Sequence, residues 1–316
     1  MDEEAIISLI WADSRRNKGD AFSDDVAWVK NKAGYIVVKT EMLTSGTDVP
    51  VQMTPEQIGS KALVSAISDY ASKAVQPLYY SISLAIPSAL DNRGYLSSLF
   101  KGFHKTARKY GLELLSGDTN SSDGELVIDV SLLGFAKSIV KRSGARPGDM
   151  VGVSGDFGLE SAGLAILLGK ASSKDTKFAK RATSSVLEPR ANLALDLALG
   201  KYLTAATDSS DGLSLSLYHI AESSGVGIDI DQVPMPRGLK EFSIENKLEA
   251  EELALFGGEE YELVVTYSPK HAKKVESFGI KPIGKVASKS RQVYLRKNKL
   301  ERRGWVHLGR NSLFHK

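Results

Sequence analysis

The chain has 316 residues, 42% hydrophobic and 25% charged, with 41 Lys and Arg against 38 Asp and Glu and no cysteine. That length suits two domains of ordinary size, and a net charge of +3 with no basic stripe interleaved with aromatics gives no sign of a nucleic-acid partner. Disulfides, thiolate metal sites and thiol nucleophiles are excluded. No apolar run approaches the roughly 18 residues of a membrane-spanning helix, and Met1-Asp2-Glu3-Glu4 lacks the basic region of a signal peptide. The expectation is a cytoplasmic protein with no membrane partner.

Residues 4–12 carry the spacing of a short amphipathic helix, and a polar loop leads to Ser23-Asp24-Asp25. The β-branched run Tyr35 to Thr40, bounded by Gly34, reads as a strand that delivers Thr40 and Glu41 at its end. Thr54-Pro55-Glu56-Gln57 opens a helix: Thr caps, Pro takes the first helical position and Gln falls three after the cap. Within that helix, expected to reach Val75, Asp69 lies 11 residues after Ile58 and seven after Ala62. At 100° per residue it stands within roughly 20° of both. A carboxylate on an apolar helix face is costly without a cation or hydrogen bonds; the alternative is a helix-edge Asp pointing to solvent.

A strand from Tyr79 to Ile86, a helix from Asn92 to Tyr110, a strand from Leu112 to Leu115, a turn at Ser116-Gly117-Asp118-Thr119-Asn120 and a strand from Leu126 to Phe135 complete the first half. A new unit begins near Ala136, giving domains 1–135 and 136–316. In the second, Gly155-Asp156-Phe157-Gly158 joins a strand (Met150 to Ser154) to a helix (Leu159 to Leu168), as a tight turn or as a ligand contact. It is neither the dinucleotide fingerprint nor a P-loop. A helix from Pro189 to Leu199 and strands at Val226 to Ile230, Leu263 to Tyr267, Ile280 to Lys285 and Gln292 to Leu295 follow. The alternation points to an α+β, mixed α/β architecture.

The centre of the second half is Thr207-Asp208-Ser209-Ser210-Asp211-Gly212-Leu213, two carboxylates where a turn meets a helix. It reads as an N-cap, or as a helix start whose N–H groups hold the carboxylates ionised or favour a bound phosphate. Asp24, Asp25, Glu41, Asp69, Asp118, Asp208 and Asp211 all punctuate apolar elements beside Gly, Ser or Thr. Converging carboxylates need cations, and with no Cys and no adjacent His, hard oxygen-ligated Mg²⁺ fits better than Zn²⁺. Such a site points to phosphoryl chemistry; the alternative is seven unrelated acids.

In order, the chain carries Asp24-Asp25-x-Ala, Thr40-Glu41-Met42-Leu43, Ser68-Asp69, Gly117-Asp118-Thr119, Arg142-Ser143-Gly144-Ala145-Arg146-Pro147-Gly148-Asp149, Asp208-Ser209-Ser210-Asp211-Gly212-Leu213 and Gly257-Gly258-Glu259-Glu260-Tyr261-Glu262-Leu263. This order, over nearly the whole chain, resembles the thiamine-monophosphate kinase family. The resemblance implies ATP-dependent phosphorylation of thiamine monophosphate to thiamine diphosphate with several Mg²⁺ ions. It also implies the two-domain aminoimidazole ribonucleotide synthetase-like fold, with N-terminal domains pairing into a homodimer. Carried over, Asp25, Thr40, Glu41, Asp69, Asp118, Asp208 and Asp211 are the implied metal ligands. Tyr110, Gly117, Asp118, Arg142 and Ser210 are the implied ATP contacts, and Asp48, Glu259 and Trp305 the implied substrate contacts. Catalysis falls to Asp69, Asp118, Asp208 and Arg142.

The chain departs from the family where Ser-Thr-Asp is usual and Lys39-Thr40-Glu41 stands, and where His is common and Asp48 stands. Ser72-Lys73-Ala74-Val75 replaces Ala-Met-Gly-Ala, and Gly258-Glu259-Glu260-Tyr261 replaces Gly-Glu-Asp-Tyr. A protonated Lys39 is no metal ligand, so one ion is lost or replaced by the ammonium. Two other readings remain open. One is an ATP-dependent ligase of the same superfamily, against which the segment at Gly257 and the aromatic near the tail argue. The other is a non-catalytic nucleotide or thiamine-phosphate binding protein, for which Lys39 and Asp48 speak.

Overall fold

In the computed structural model the described residues are 24–288 and 290–306, together with Ile6 and Leu9. The helix expected over 4–12 therefore lies outside them, apart from Ile6 and Leu9, which are helical and exposed.

Two sheets organise the chain. The first runs in the order β1-β2-β5-β3-β4, from β1 (Ala27–Asn31), β2 (Gly34–Thr44), β3 (Pro77–Pro87), β4 (Glu113–Ser122) and β5 (Val127–Ala136). Among the described residues of this sheet only β3 and β4 pair in parallel, and parallel neighbours need a crossover. The helix α2 (Arg93–Tyr110) supplies it, capped by the Asn92 side chain and closed by Gly111 in the left-handed region. Helix α1 (Pro55–Ser72) precedes β3; it opens with the expected capping box between Thr54 and Gln57. It packs against α2, β2 and β5. A Cβ on Gly102 would sit 2.0 Å from the Glu56 carbonyl, so glycine lets α1 and α2 close on each other.

The second sheet runs β12-β11-β8-β10-β6-β9-β7: β6 (Met150–Val153), β7 (Leu203–Ser209), β8 (Ile228–Ile230), β9 (Glu262–Tyr267), β10 (Lys281–Val286), β11 (Val293–Leu295) and β12 (Asn298–Lys299). Helices α3 (Leu159–Leu167), α4 (Thr176–Leu187), α5 (Leu193–Leu199), α6 (Leu213–Ser224), α7 (Leu239–Asn246), α8 (Ala250–Phe256) and α9 (Ala272–Glu276) accompany it. Val151, Phe157, Leu217, Ile220, Ile228 and Ile283 belong to its core. Leu63, Ile67, Leu99, Phe103, Ile128 and Val130 form that of the first sheet, which Ala191 and Leu193 join from the other half. Helix α1 also packs on β7 and α5, so the two units share it. No described helix is long and apolar enough to cross a membrane.

Three sequence expectations change. The turn expected at 116–120 is strand: Gly117 and Asp118 pair with Ile82 and Ser83 in β4. Tertiary pairing overrides the turn preference of Gly and Asp. The helix expected from Pro189 begins at Leu193, and α4, α7, α8 and α9 are helices that no sequence expectation covers. Finally, Asp208 is not a helix cap but the penultimate residue of β7; Gly212 occupies the cap position of α6 with no side-chain cap.

Candidate active site

Strand β7 ends on three buried polar residues, Thr207, Asp208 and Ser209. Helix α1, whose other residues are largely apolar, carries a polar stripe, Lys61, Ser65, Ser68, Asp69 and Ser72, and its Ser68 meets this strand. Asp69 is 8% exposed, so the inward orientation read from its spacing holds and the solvent-facing alternative falls. The Ser68 hydroxyl donates to Asp208 Oδ2 at 2.8 Å across 140 residues of sequence. Asp25, Asp69 and Asp208 each offer a carboxylate oxygen, and the three oxygens lie within 4.8 Å of one another. Strand β7, helix α1 and the segment before β1 thus meet at one acidic point.

The three carboxylates are not equivalent. Asp25 Oδ1 accepts from Thr207 Oγ1 at 3.0 Å and pairs with Arg142 Nη2; its Oδ2 accepts from Ser72 Oγ at 2.9 Å and lies 2.5 Å from Lys73 Nζ. Two carboxylate oxygens offer about four lone-pair positions, and all four are used. Burial pushes Asp25 up, but Arg142 and Lys73 outweigh it and hold the carboxyl well below the usual range. Asp24 joins the same knot, with Oδ1 at 2.6 Å from Lys73 Nζ and Oδ2 accepting the Arg142 N–H at 2.9 Å. Asp208 has fewer partners: burial, then the Asp25 carboxylate, push it up to about 7. Burial also lifts Asp69 well above the usual range, with Asp208 and Glu41 adding to it and Lys39 opposing. Fully ionised, the pair would carry more negative charge than its surroundings offset.

Strand alternation decides what β2 contributes. Lys39 and Glu41 face α1, with Lys39 Nζ 3.0 Å from Glu41 Oε2 and 2.9 Å from Asp69 Oδ2. Burial works against the Lys39 charge, yet Asp69 and Glu41 hold its ammonium well above the ordinary lysine range. Thr40 sits between them and so points to the opposite face, where its hydroxyl lies 3.2 Å from Ser131 Oγ. Gly117 and Asp118 are exposed on edge strand β4. The register runs Met42, Asp129, Ser83, Asp118 across the sheet. Asp118 is therefore three strand spacings, roughly 14 Å, from Met42. The structure does not bring Thr40 or Asp118 into the acidic group of a single chain.

A second group lies beside it. Glu259 Oε1 is 2.5 Å from Lys61 Nζ, and Lys61 also donates to the Asp48 carbonyl at 2.6 Å. The Glu259 and Tyr261 N–H groups donate to the Ser210 and Ser209 carbonyls at 2.6 and 2.9 Å. Both residues take positive φ, 68° and 52°, a strained choice that concentrates at functional positions. A Cβ on Gly258 would lie 2.5 Å from the Ser210 carbonyl, so glycine lets these segments touch. The Trp305 N–H donates to the Asp211 carbonyl at 3.0 Å, which places Asp211, Ser210, Glu259 and Trp305 together. The Asp48 carboxylate is turned back on its own short helix (Ser45–Asp48), accepting the N–H of the cap residue Thr44 at 2.7 Å. Tyr110 is engaged elsewhere: its hydroxyl donates to the Ala191 carbonyl at 3.0 Å.

Sequence reading missed Lys61, as well as Lys73 and Thr207. The available signal was polar spacing: Lys61, Ser65, Ser68, Asp69 and Ser72 recur at intervals of three and four on an otherwise apolar helix.

Family models for the N-terminal and C-terminal domains of AIR synthase related proteins match residues 23–136 and 146–295. The thiamine-monophosphate kinase of Nitrosopumilus maritimus is 35% identical over 97% of this chain and 98% of its own. That of Pyrococcus horikoshii is 35% identical over 91% of each. The solved complex of AaThiL with AMPPCP and TMP superposes with a TM-score of 0.88 at 30% identity, covering 97% of both chains. On this likeness, which spans both sheets and the acidic point between them, the chain belongs to the thiamine-monophosphate kinase family.

Proposed function

We propose that the chain transfers the γ-phosphoryl group of ATP to the phosphate of thiamine monophosphate, giving thiamine diphosphate and ADP. One observation carries this reading: Asp69 and Asp208, from different units of the fold, converge with excess negative charge. The donors are all hard oxygens, and Asp69 Oδ1 and Asp208 Oδ1 take no hydrogen bond from any described residue. That set fits Mg²⁺. Bound there, Mg²⁺ supplies charge neutralisation at the phosphates. Asp69, through Oδ1, and Asp208 are its proposed ligands, with Asp211 one loop away; Glu41 is held by Lys39, and Asp25, saturated by Lys73, Arg142, Ser72 and Thr207, holds the frame instead.

No enzyme nucleophile is needed, because a phosphate oxygen is already ionised at neutral pH. The residues position and neutralise. Arg142, pinned through Asp25 and Asp24, stands beside the acidic point as the fixed cation for the transferred group. Ser210, Gly117, Asp118 and Tyr110 are the further proposed nucleotide contacts, Gly117 and Asp118 being presented by the exposed edge strand. Glu259 and Trp305, with Asp48 behind Lys61, form the proposed thiamine side, where an aromatic face and a carboxylate suit a cationic ring.

The domain division near residue 136 and pairing into a homodimer belong to the same proposal. Val38, Met42 and Phe135 lie exposed on the sheet face away from α1, and Leu114 and Leu115 on the edge strand. A long uncovered edge of this kind is normally protected, and a second copy would cover it. The deciding experiment mixes ATP, Mg²⁺ and thiamine monophosphate and looks for thiamine diphosphate and ADP. Nucleotide binding without turnover selects a binding protein, and turnover only with formylglycinamidine ribonucleotide selects a ligase.

A further inference from the structure

Two lysines enter the acidic point, and their donors are spent differently. Lys73 is wholly buried and uses all three: on Asp24 Oδ1 at 2.6 Å, Asp25 Oδ2 at 2.5 Å and the Ala206 carbonyl at 2.7 Å. Lys39 uses two, on Glu41 Oε2 and Asp69 Oδ2 at 3.0 and 2.9 Å. An ammonium has three N–H donors, and no described residue takes the third from Lys39. Its side chain is 20% exposed, whereas that of Lys73 is 0% exposed. One lysine is a closed structural tie; the other has a donor left at the open side of the site.

Charge counting leads the same way. Asp24, Asp25, Glu41, Asp69 and Asp208, five carboxylates, meet three cations, Lys39, Lys73 and Arg142. With all five ionised, two negative charges remain, the charge of one divalent ion. A divalent ion bridging Glu41 and Asp69 would need the space and lone pairs that the Lys39 ammonium already uses.

We propose that Lys39 is a resident cation of the phosphoryl-transfer site, holding Glu41 and Asp69 as a bound divalent ion would and turning its third N–H to a phosphate oxygen. The loaded site consequently takes up one divalent ion fewer than the same site without this lysine. This rests on the divalent-cation reading made under Proposed function, and the test separates the two.

Mn²⁺ uptake is measured by equilibrium dialysis with saturating AMPPCP for the wild type, Lys39→Ala and Lys39→Arg. The expected result is one more Mn²⁺ per chain in Lys39→Ala than in the wild type, with Lys39→Arg at the wild-type number. Equal uptake, beyond that carried by the nucleotide, in the wild type and Lys39→Ala overturns the resident-cation role and leaves the divalent reading standing. No Mn²⁺ beyond that carried by the nucleotide in any of the three overturns both. If Lys39→Ala is unfolded in EDTA, its melting temperature with Mn²⁺ decides: recovery towards the wild-type value supports a divalent ion standing in for the ammonium, and no recovery overturns it.

Discussion

The Lys73 ammonium lies 2.5 Å from Asp25 Oδ2 with neither side chain exposed to any degree. This pair joins the C-cap of α1 to the residues before β1, and through the Ala206 carbonyl to β7. Removing one member of a buried pair typically costs about 3–5 kcal/mol, because the other charge is left uncompensated. Lys73→Met is expected to lose that much stability in urea denaturation, and adding Asp25→Asn should recover part of it. A loss below about 1 kcal/mol for Lys73→Met would show that water reaches the carboxylates and that the tie is not closed.

Asp208 holds the open carboxylate of β7, so Asp208→Asn removes charge while keeping shape and the hydrogen bond from Ser68. Losing one preorganised electrostatic group commonly lowers kcat by about 10²–10³-fold. That drop is expected here, with the far-ultraviolet circular dichroism of the wild type. Near-normal turnover at saturating Mg²⁺ in the Asn variant would remove Asp208 from the chemistry.

Glu259 is held by Lys61 from the other half of the molecule, so the two should act on one substrate. Glu259→Gln and Lys61→Met are each expected to raise KM for thiamine monophosphate about tenfold or more, the scale of a lost charged contact. KM for ATP should change far less. An equal rise for both substrates would assign the pair to domain closure instead.

Asp196, on α5, is 5% exposed, and its Oδ1 has no hydrogen-bond partner among the described residues. Burial, then the Glu262 and Asp208 carboxylates, push it up to about 8. Between the ordinary carboxylate range and pH 8 the folded chain keeps this proton while the unfolded chain has released it. Stability therefore falls as pH rises through that window, by at most about 1.4 kcal/mol per unit. Asp196→Asn is expected to flatten this slope and to melt higher than the wild type at pH 8, the two converging near pH 4. Parallel melting curves across pH 4–8 would contradict it.

A substantial part of the site was legible in one dimension. Asp69 could be placed on the inner face of α1 because helical rotation is fixed by residue count. The chemistry of the acids could be narrowed to a hard cation because no Cys or His accompanied them. The order of seven motifs carried the family. The same periodic logic applied to β2 separates Thr40 from Lys39 and Glu41, which family resemblance alone did not.

What sequence could not supply was the pairing of residues far apart in the chain. Ser68 meets Asp208, Thr207 meets Asp25, and Lys73 meets Ala206 across 140, 182 and 133 positions. Each depends on how β7 docks against α1 or the segment before β1, and no local pattern encodes that. The strand through Gly117 and Asp118 was hidden for a related reason: those residues favour turns locally, and only pairing with β3 extends them. The chain alone determined which side chains face inward and what ions they suit. Packing of the two sheets around one shared helix decided which carboxylates meet and which are already neutralised by a lysine, because charge compensation depends on distances that only the folded chain sets.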